Sequence, residues 1–139
     1  MCSSDLDTTS PYAFAFPTAL YRGTVPLLLR AYDRAGNVAT AQASMVADNT
    51  PPTVVITHAP ANGTHHIPAT TVLYAGGSDY YGVAALQLVV NGVITQRVAA
   101  RGARFLIPTT RYGSRLTVLV RAVDRAGNVT ATPARTWYR

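Results

Sequence analysis

The 139 residues are 48% hydrophobic and only 13% charged, and a formal net charge of +6 rests on twelve arginines with no lysine. That balance excludes a disordered polar tail and suits a well-buried domain. The single cysteine, Cys2, excludes an internal disulfide and a cysteine-based metal site, no apolar run reaches the ~18 residues of a membrane helix, and the arginines form no run of the kind that grips nucleic acid.

An all-arginine excess in an Ala-, Gly- and Val-rich chain fits the codon usage of a GC-rich genome better than a polyanion footprint. It leaves room for weak attraction to acidic polysaccharide or a cell surface. In chain order, MCSSDL at residues 1–6 resembles the translation of a common sequencing adapter and is expected to be no part of the protein. The N-terminus also lacks the basic-then-apolar order of a signal peptide, so an export signal is expected outside these residues. Residues 7–11 are polar and turn-like. Residues 12–16 (YAFAF) alternate aromatic with small, the period of a half-buried strand. A loop at 17–23, a strand at 25–32, a turn at 33–37 and a returning strand at 38–46 complete a first region of three strands.

Asp48-Asn49-Thr50-Pro51-Pro52 follows as a boundary, where two prolines fix φ, remove two donors and make a short, stiff linker. Beyond it the pattern predicts strands at 53–57, 70–75, 84–90, 93–99, 103–107, 115–123 and 129–137. The loop at 58–68 is rich in Pro, Asn, Gly and His, Gly76 and Gly77 end the second of these strands, and Asn91-Gly92 makes a two-residue hairpin turn. Within 86–90, Leu86, Leu88 and Val90 share one face. Seven strands with turn signals every eight to twelve residues predict an all-β antiparallel sandwich with no helix.

One stretch occurs twice. LRAYDRAGNV at 29–38 returns as VRAVDRAGNV at 120–129, an offset of 91 that also carries Phe14 onto Phe105, Pro17 onto Pro108, Thr18 onto Thr109 and Tyr21 onto Tyr112. Such self-similarity marks an internal repeat. Each copy reads as a β-hairpin, with Asp33, Gly36 and Asn37, and Asp124, Gly127 and Asn128, shaping the turn. A 91-residue period in 139 residues predicts a C-terminal half repeat at 7–47, a linker at 48–52 and a complete repeat at 53–139. The half repeat, with no opposing sheet, is expected to be unstable alone.

The motifs DNTPPTV at 48–54, SDYYGVAALQLVVNG at 78–92 and RAVDRAGNV at 121–129, in that order and spacing, resemble the bacterial immunoglobulin-like repeats found in tandem in secreted and surface proteins. The resemblance implies an immunoglobulin-like or fibronectin-III-like sandwich, located outside the cell or on its surface. It implies a non-catalytic spacer, stalk or adhesive unit of a larger protein, with neighbouring repeats of the same polypeptide as partners and a cell-surface protein or polysaccharide as a further one. No nucleic acid or membrane insertion is expected.

In such a sandwich the loops holding Asp79 and Asp124 lie where the chain enters, so Asp48, Asn49, Asp79 and Asp124 form a candidate Ca²⁺ set that would stiffen a junction in the manner of cadherins. The plainer reading is that each aspartate caps its own turn. His58, His65 and His66 share a loop but lack an acidic or Cys ligand at zinc spacing. Trp137, Tyr138, Tyr80 and Tyr81 would form a sugar platform if they faced solvent, the mark of a carbohydrate-binding accessory domain of an extracellular hydrolase. A buried Trp137 would instead favour the spacer, and Tyr112 reads as a structural corner. With six aspartates and no glutamate, and no serine in a nucleophile elbow, no catalytic constellation is visible.

Overall fold

The computed structural model describes residues 6–139; apart from Leu6, the stretch read as adapter-derived, Cys2 included, lies outside them. Contacts divide the chain into two compact units, 1–49 and 50–139.

The first unit is a single antiparallel hairpin, β1 (Gly23–Tyr32) against β2 (Val38–Ala47), preceded by one 3-10 turn at Thr18–Leu20. Among its described apolar residues only Val25 and Ala47 are buried, while Leu28, Leu29, Tyr32, Val38 and Val46 stay exposed. Residues 12–16 do not form the strand their alternation predicts. The Asp7 carboxylate instead accepts the Ala13 amide at 2.9 Å, and Phe16 stacks on Tyr21 at 4.7 Å.

The second unit is a two-sheet sandwich. One sheet runs β3 (Thr53–His58), β4 (Thr70–Ser78), β7 (Gly102–Pro108). The other runs β10 (Arg135–Tyr138), β8 (Arg115–Asp124), β5 (Val83–Val90), β6 (Val93–Val98), with β9 (Val129–Ala131) also on β8. All pairings are antiparallel. Alternation explains the core, because every second residue of β8 (Leu116, Val118, Val120, Ala122) points inward to meet Leu86, Leu88 and Val90 of β5 and, from the facing sheet, Leu73, Phe105 and Ile107. Tyr112 packs against this core from its rim.

Two expectations are corrected. The predicted last strand at 129–137 is broken into β9 and β10, so the unit has eight strands, because Pro133 has no amide to donate to a ladder. Buried Thr132 bridges the break, its Oγ1 accepting the Val120 amide while its own amide donates to the Val120 carbonyl. Second, Gly76 and Gly77 continue β4 rather than end it. A Cβ on Gly77 would come within 3.2 Å of both Leu86 Cδ2 and the Thr53 carbonyl, so the glycine permits the close approach of β3 and β5 there.

The loop between β3 and β4 also has more order than its composition suggests. Asn62 Oδ1 accepts the Thr136 amide at 2.7 Å, Gly63 donates to Thr136, Tyr138 donates to Thr64 and Ile67 donates to Tyr138. It lies along β10 and covers an edge that would otherwise expose ladder groups.

Candidate functional site

The second unit shows how two of the candidate aspartates are held. Asp79 follows β4, and its Oδ1 accepts the amides of Tyr81 at 2.8 Å and Gly82 at 3.0 Å. Asp124 ends β8, where its Oδ1 accepts the Asn128 amide at 2.8 Å and its Oδ2 accepts from Asn128 Nδ2 at 2.7 Å. Gly127, at φ 95°, supplies the left-handed residue that closes this turn. Each carboxylate therefore caps its own loop. The register pairs Val83 with Asp124, so the two loops meet, and carboxylate oxygens of Asp79 and Asp124 come within 4.8 Å of each other. Asp124 is only 2% exposed.

The first unit repeats the turn at Asp33, which accepts the amides of Ala35 and Asn37 and the Asn37 side-chain amide at 2.7 Å. These bonds, the Asn37 side chain first, hold the Asp33 carboxyl below its ordinary 3.8. Asp48 and Asn49 end this unit. Asn49 Nδ2 is committed to the carbonyls of Thr18 and Tyr21, both at 2.9 Å.

The histidines find aromatic partners. His58 meets Tyr74 edge-on at 5.8 Å, and His65 stacks on Tyr138 at 4.4 Å with 9° between planes. Among the described residues, they belong to no group of metal-ligating side chains. Trp137 is fully buried, its Nε1 donating to the Pro60 carbonyl at 3.2 Å, so it closes the core and faces no sugar. Tyr80 is 92% exposed and meets Tyr81 edge-to-face.

The structure places the entry of the chain at the end holding Asp79 and Asp124, the end that the immunoglobulin-like resemblance implies, whereas sequence reasoning had no reading of where it leaves. Thr53 pairs with Ser78, next to Asp79, and the Thr50 carbonyl lies 3.5 Å from Asn128 Nδ2, so the chain enters at the Asp124 end of β8. Tyr138 pairs with Arg115 and the Arg139 amide donates to Ser114, so it leaves at the other end. Pairing partners far apart in sequence place the exit, and no local motif signals it.

An antiparallel two-sheet sandwich with this strand order is immunoglobulin-like. The chain belongs to the bacterial Ig-like domain family, which it matches over residues 5–49 and 59–138. No curated protein matches it. Domains of this family are generally non-catalytic and typically occur in extracellular or surface proteins. Among the described residues, no helix is long and apolar enough to cross a membrane.

Proposed function

We propose that this Ig-like module is a non-catalytic extracellular spacer within a larger bacterial surface or secreted protein. The observation that carries this reading is the position of the two ends of residues 50–139. The chain enters at one end of β8 and leaves at the other, and ten residues of strand separate them by about 30 Å. Modules threaded this way add length end to end, and a stiff Pro51-Pro52 entry keeps successive modules from folding back. Burial of Trp137 supports the spacer over the carbohydrate-binding alternative. Small-angle scattering on concatemers of residues 50–139 tests it: the maximum dimension should grow by about 30 Å or more per added copy. Growth only as the cube root of mass would overturn it.

A second reading, Ca²⁺-dependent stiffening, is favoured by the approach of Asp79 to the buried Asp124. Two carboxylates so close repel, and a hard cation relieves the repulsion. Melts of residues 50–139 and of the whole chain, each with millimolar Ca²⁺ and with chelator, decide it. A Ca²⁺-dependent rise in Tm supports a bound ion, and a rise confined to the whole chain assigns Asp48 or Asn49 a share. Unchanged melts in both leave the aspartates as turn caps.

A further inference from the structure

Among the described residues, β1 pairs with β2 and with no other strand, so its second edge is open. The Asp33 amide donates to Asn37 across the turn, which aims the backbone groups of Ala31, Leu29 and Leu27 at β2 and those of Tyr32, Arg30 and Leu28 at the open edge. The counterpart strand β8 has the same phase. Val120 accepts the Thr132 amide on the β9 side, whereas the Thr117 carbonyl accepts the Asn91 amide on the β5 side. The edge that β5 fills on β8 is therefore the edge that stands open on β1.

The 91-residue offset gives the register of what would fill it. Leu27, Leu29 and Ala31 correspond to Val118, Val120 and Ala122, which stand opposite Val90, Leu88 and Leu86 of β5 in the core of the second unit. Leu29 is instead 52% exposed. Arg30 corresponds to Arg121, whose partner on β5 is the uncharged Gln87. Pro26 corresponds to Thr117, whose amide bonds the Asn91 side chain rather than the backbone of β5, so a proline there removes no bond from the ladder.

A second copy of β1 fits the edge poorly. Antiparallel pairing of two β1 edges about Arg30 sets arginine against arginine, a shift toward the start of the strand brings Pro26 into the ladder, and a shift toward its end runs off the strand. Nor is β5 of the second unit free to serve, since it lies between β6 and β8 with Leu86 and Leu88 fully buried. The donor lies outside these 139 residues.

We propose that the open edge of β1 accepts an extended strand of the β5 type from another Ig-like repeat, antiparallel to β1, with apolar residues opposite Leu27, Leu29 and Ala31 and an uncharged polar one opposite Arg30. The added strand meets the amides and carbonyls of Leu28, Arg30 and Tyr32 and covers apolar side chains on one face. The inference does not depend on the spacer reading.

The probe is a labelled synthetic peptide of residues 83–98, which carries β5, its turn and β6, titrated into the whole chain by fluorescence anisotropy at concentrations where the peptide alone is monomeric. Amide exchange of the chain is followed by NMR. Saturating peptide should slow exchange at Leu28, Arg30 and Tyr32 at least about tenfold and leave Thr40, on the outer edge of β2, unchanged. Leu28→Pro, which removes a donor from the open edge and none from the β1–β2 ladder, should weaken binding at least about tenfold, and Thr40→Pro should stay within about twofold. Should Leu28→Pro fail to fold, a charge exchange decides: the peptide with Gln87→Arg should bind weakly to the unsubstituted chain and regain affinity for Arg30→Gln. Four results would overturn the proposal: no binding by the folded chain, protection at Thr40 in place of Leu28, equal losses from the two prolines, or a Gln87→Arg peptide that binds as well as the original. A dimer of the chain alone with Leu28, Arg30 and Tyr32 already protected would overturn it too, by making the occupant a second copy.

Discussion

The two copies of the repeat share their turns and differ in their strands. Thr18–Leu20 and Thr109–Tyr112 each make a 3-10 turn, entered from prolines of nearly equal geometry, φ −75° and ψ 90° at Pro17 against φ −73° and ψ 86° at Pro108. The Asp-Arg-Ala-Gly-Asn turns share the bonds from Asn37 and Asn128 onto Asp33 and Asp124. Residues 103–107, by contrast, form β7 on β4, while their counterparts 12–16 form no strand. Among the described residues, YAFAF has no ladder partner. Turns are satisfied within five residues, whereas a strand's backbone groups need a partner from elsewhere.

The largest expected difference is therefore in core energetics. Trp137 is enclosed, and Trp137→Ala should destabilise residues 50–139 by about 3–5 kcal/mol through lost burial and the cavity left behind. Its counterpart by offset, Val46, is exposed, and Val46→Ala should leave the melting of either unit unchanged within error. Denaturation followed by circular dichroism reads both. Equal effects at the two positions would mean that the first unit has a core of its own.

A subtler contrast lies in register. In the first unit β2 runs unbroken and pairs Leu27 with Ala43. By the offset these correspond to Val118 and Ala134, yet Val118 pairs with Arg135, one residue further on. The slip arises at Pro133, whose counterpart is Gln42, and because side chains alternate it turns Trp137 inward while Val46 faces out. Pro133→Gln should let β9 and β10 merge, drive Trp137 toward solvent and cost about 2 kcal/mol, with a red shift of its fluorescence. Emission that stays blue would show that buried Thr132, rather than Pro133, sets the break.

How much of this was legible follows from the same contrast. Both hairpin turns, the Asn91-Gly92 turn and the core face of Leu86, Leu88 and Val90 are written in adjacent residues, and the structure has them. The break at Pro133 was legible too, since a proline within a predicted strand weakens that assignment. The failure of YAFAF and the loop laid along β10 were not legible. Each depends on which distant strand stands alongside. Within the candidate site, the turn chemistry of Asp79 and Asp124 is local, whereas their approach needs the Val83–Asp124 pairing.

That approach makes the buried cap a sharper test than the exposed one. Asp124→Ala removes two short hydrogen bonds from a group 2% exposed and should cost about 1–2 kcal/mol. Asp33→Ala, at an exposed turn, should shift melting less. A stabilised Asp124→Ala would instead mean that repulsion from Asp79 outweighs the cap, strengthening the cation reading.

The smallest effect is a titration. Asp33 is held below 3.8 chiefly by the Asn37 side chain, and Asp7 is held below 3.8 chiefly by the Ala13 amide, so both caps work in the ionised form. A carboxyl whose folded pKa is depressed contributes fully above its unfolded value and loses that contribution as pH falls through the folded one. The Asp33 turn should accordingly persist at pH 4 and loosen only at more acidic pH. Carboxyl carbon NMR should place both midpoints below 3.8, and Asn37→Ala should bring that of Asp33 back toward 3.8. A midpoint at or above 3.8 in the unsubstituted chain would show that the first unit's hairpin turn is not closed in solution, and the likeness of the two turns would then hold only where a sandwich surrounds them.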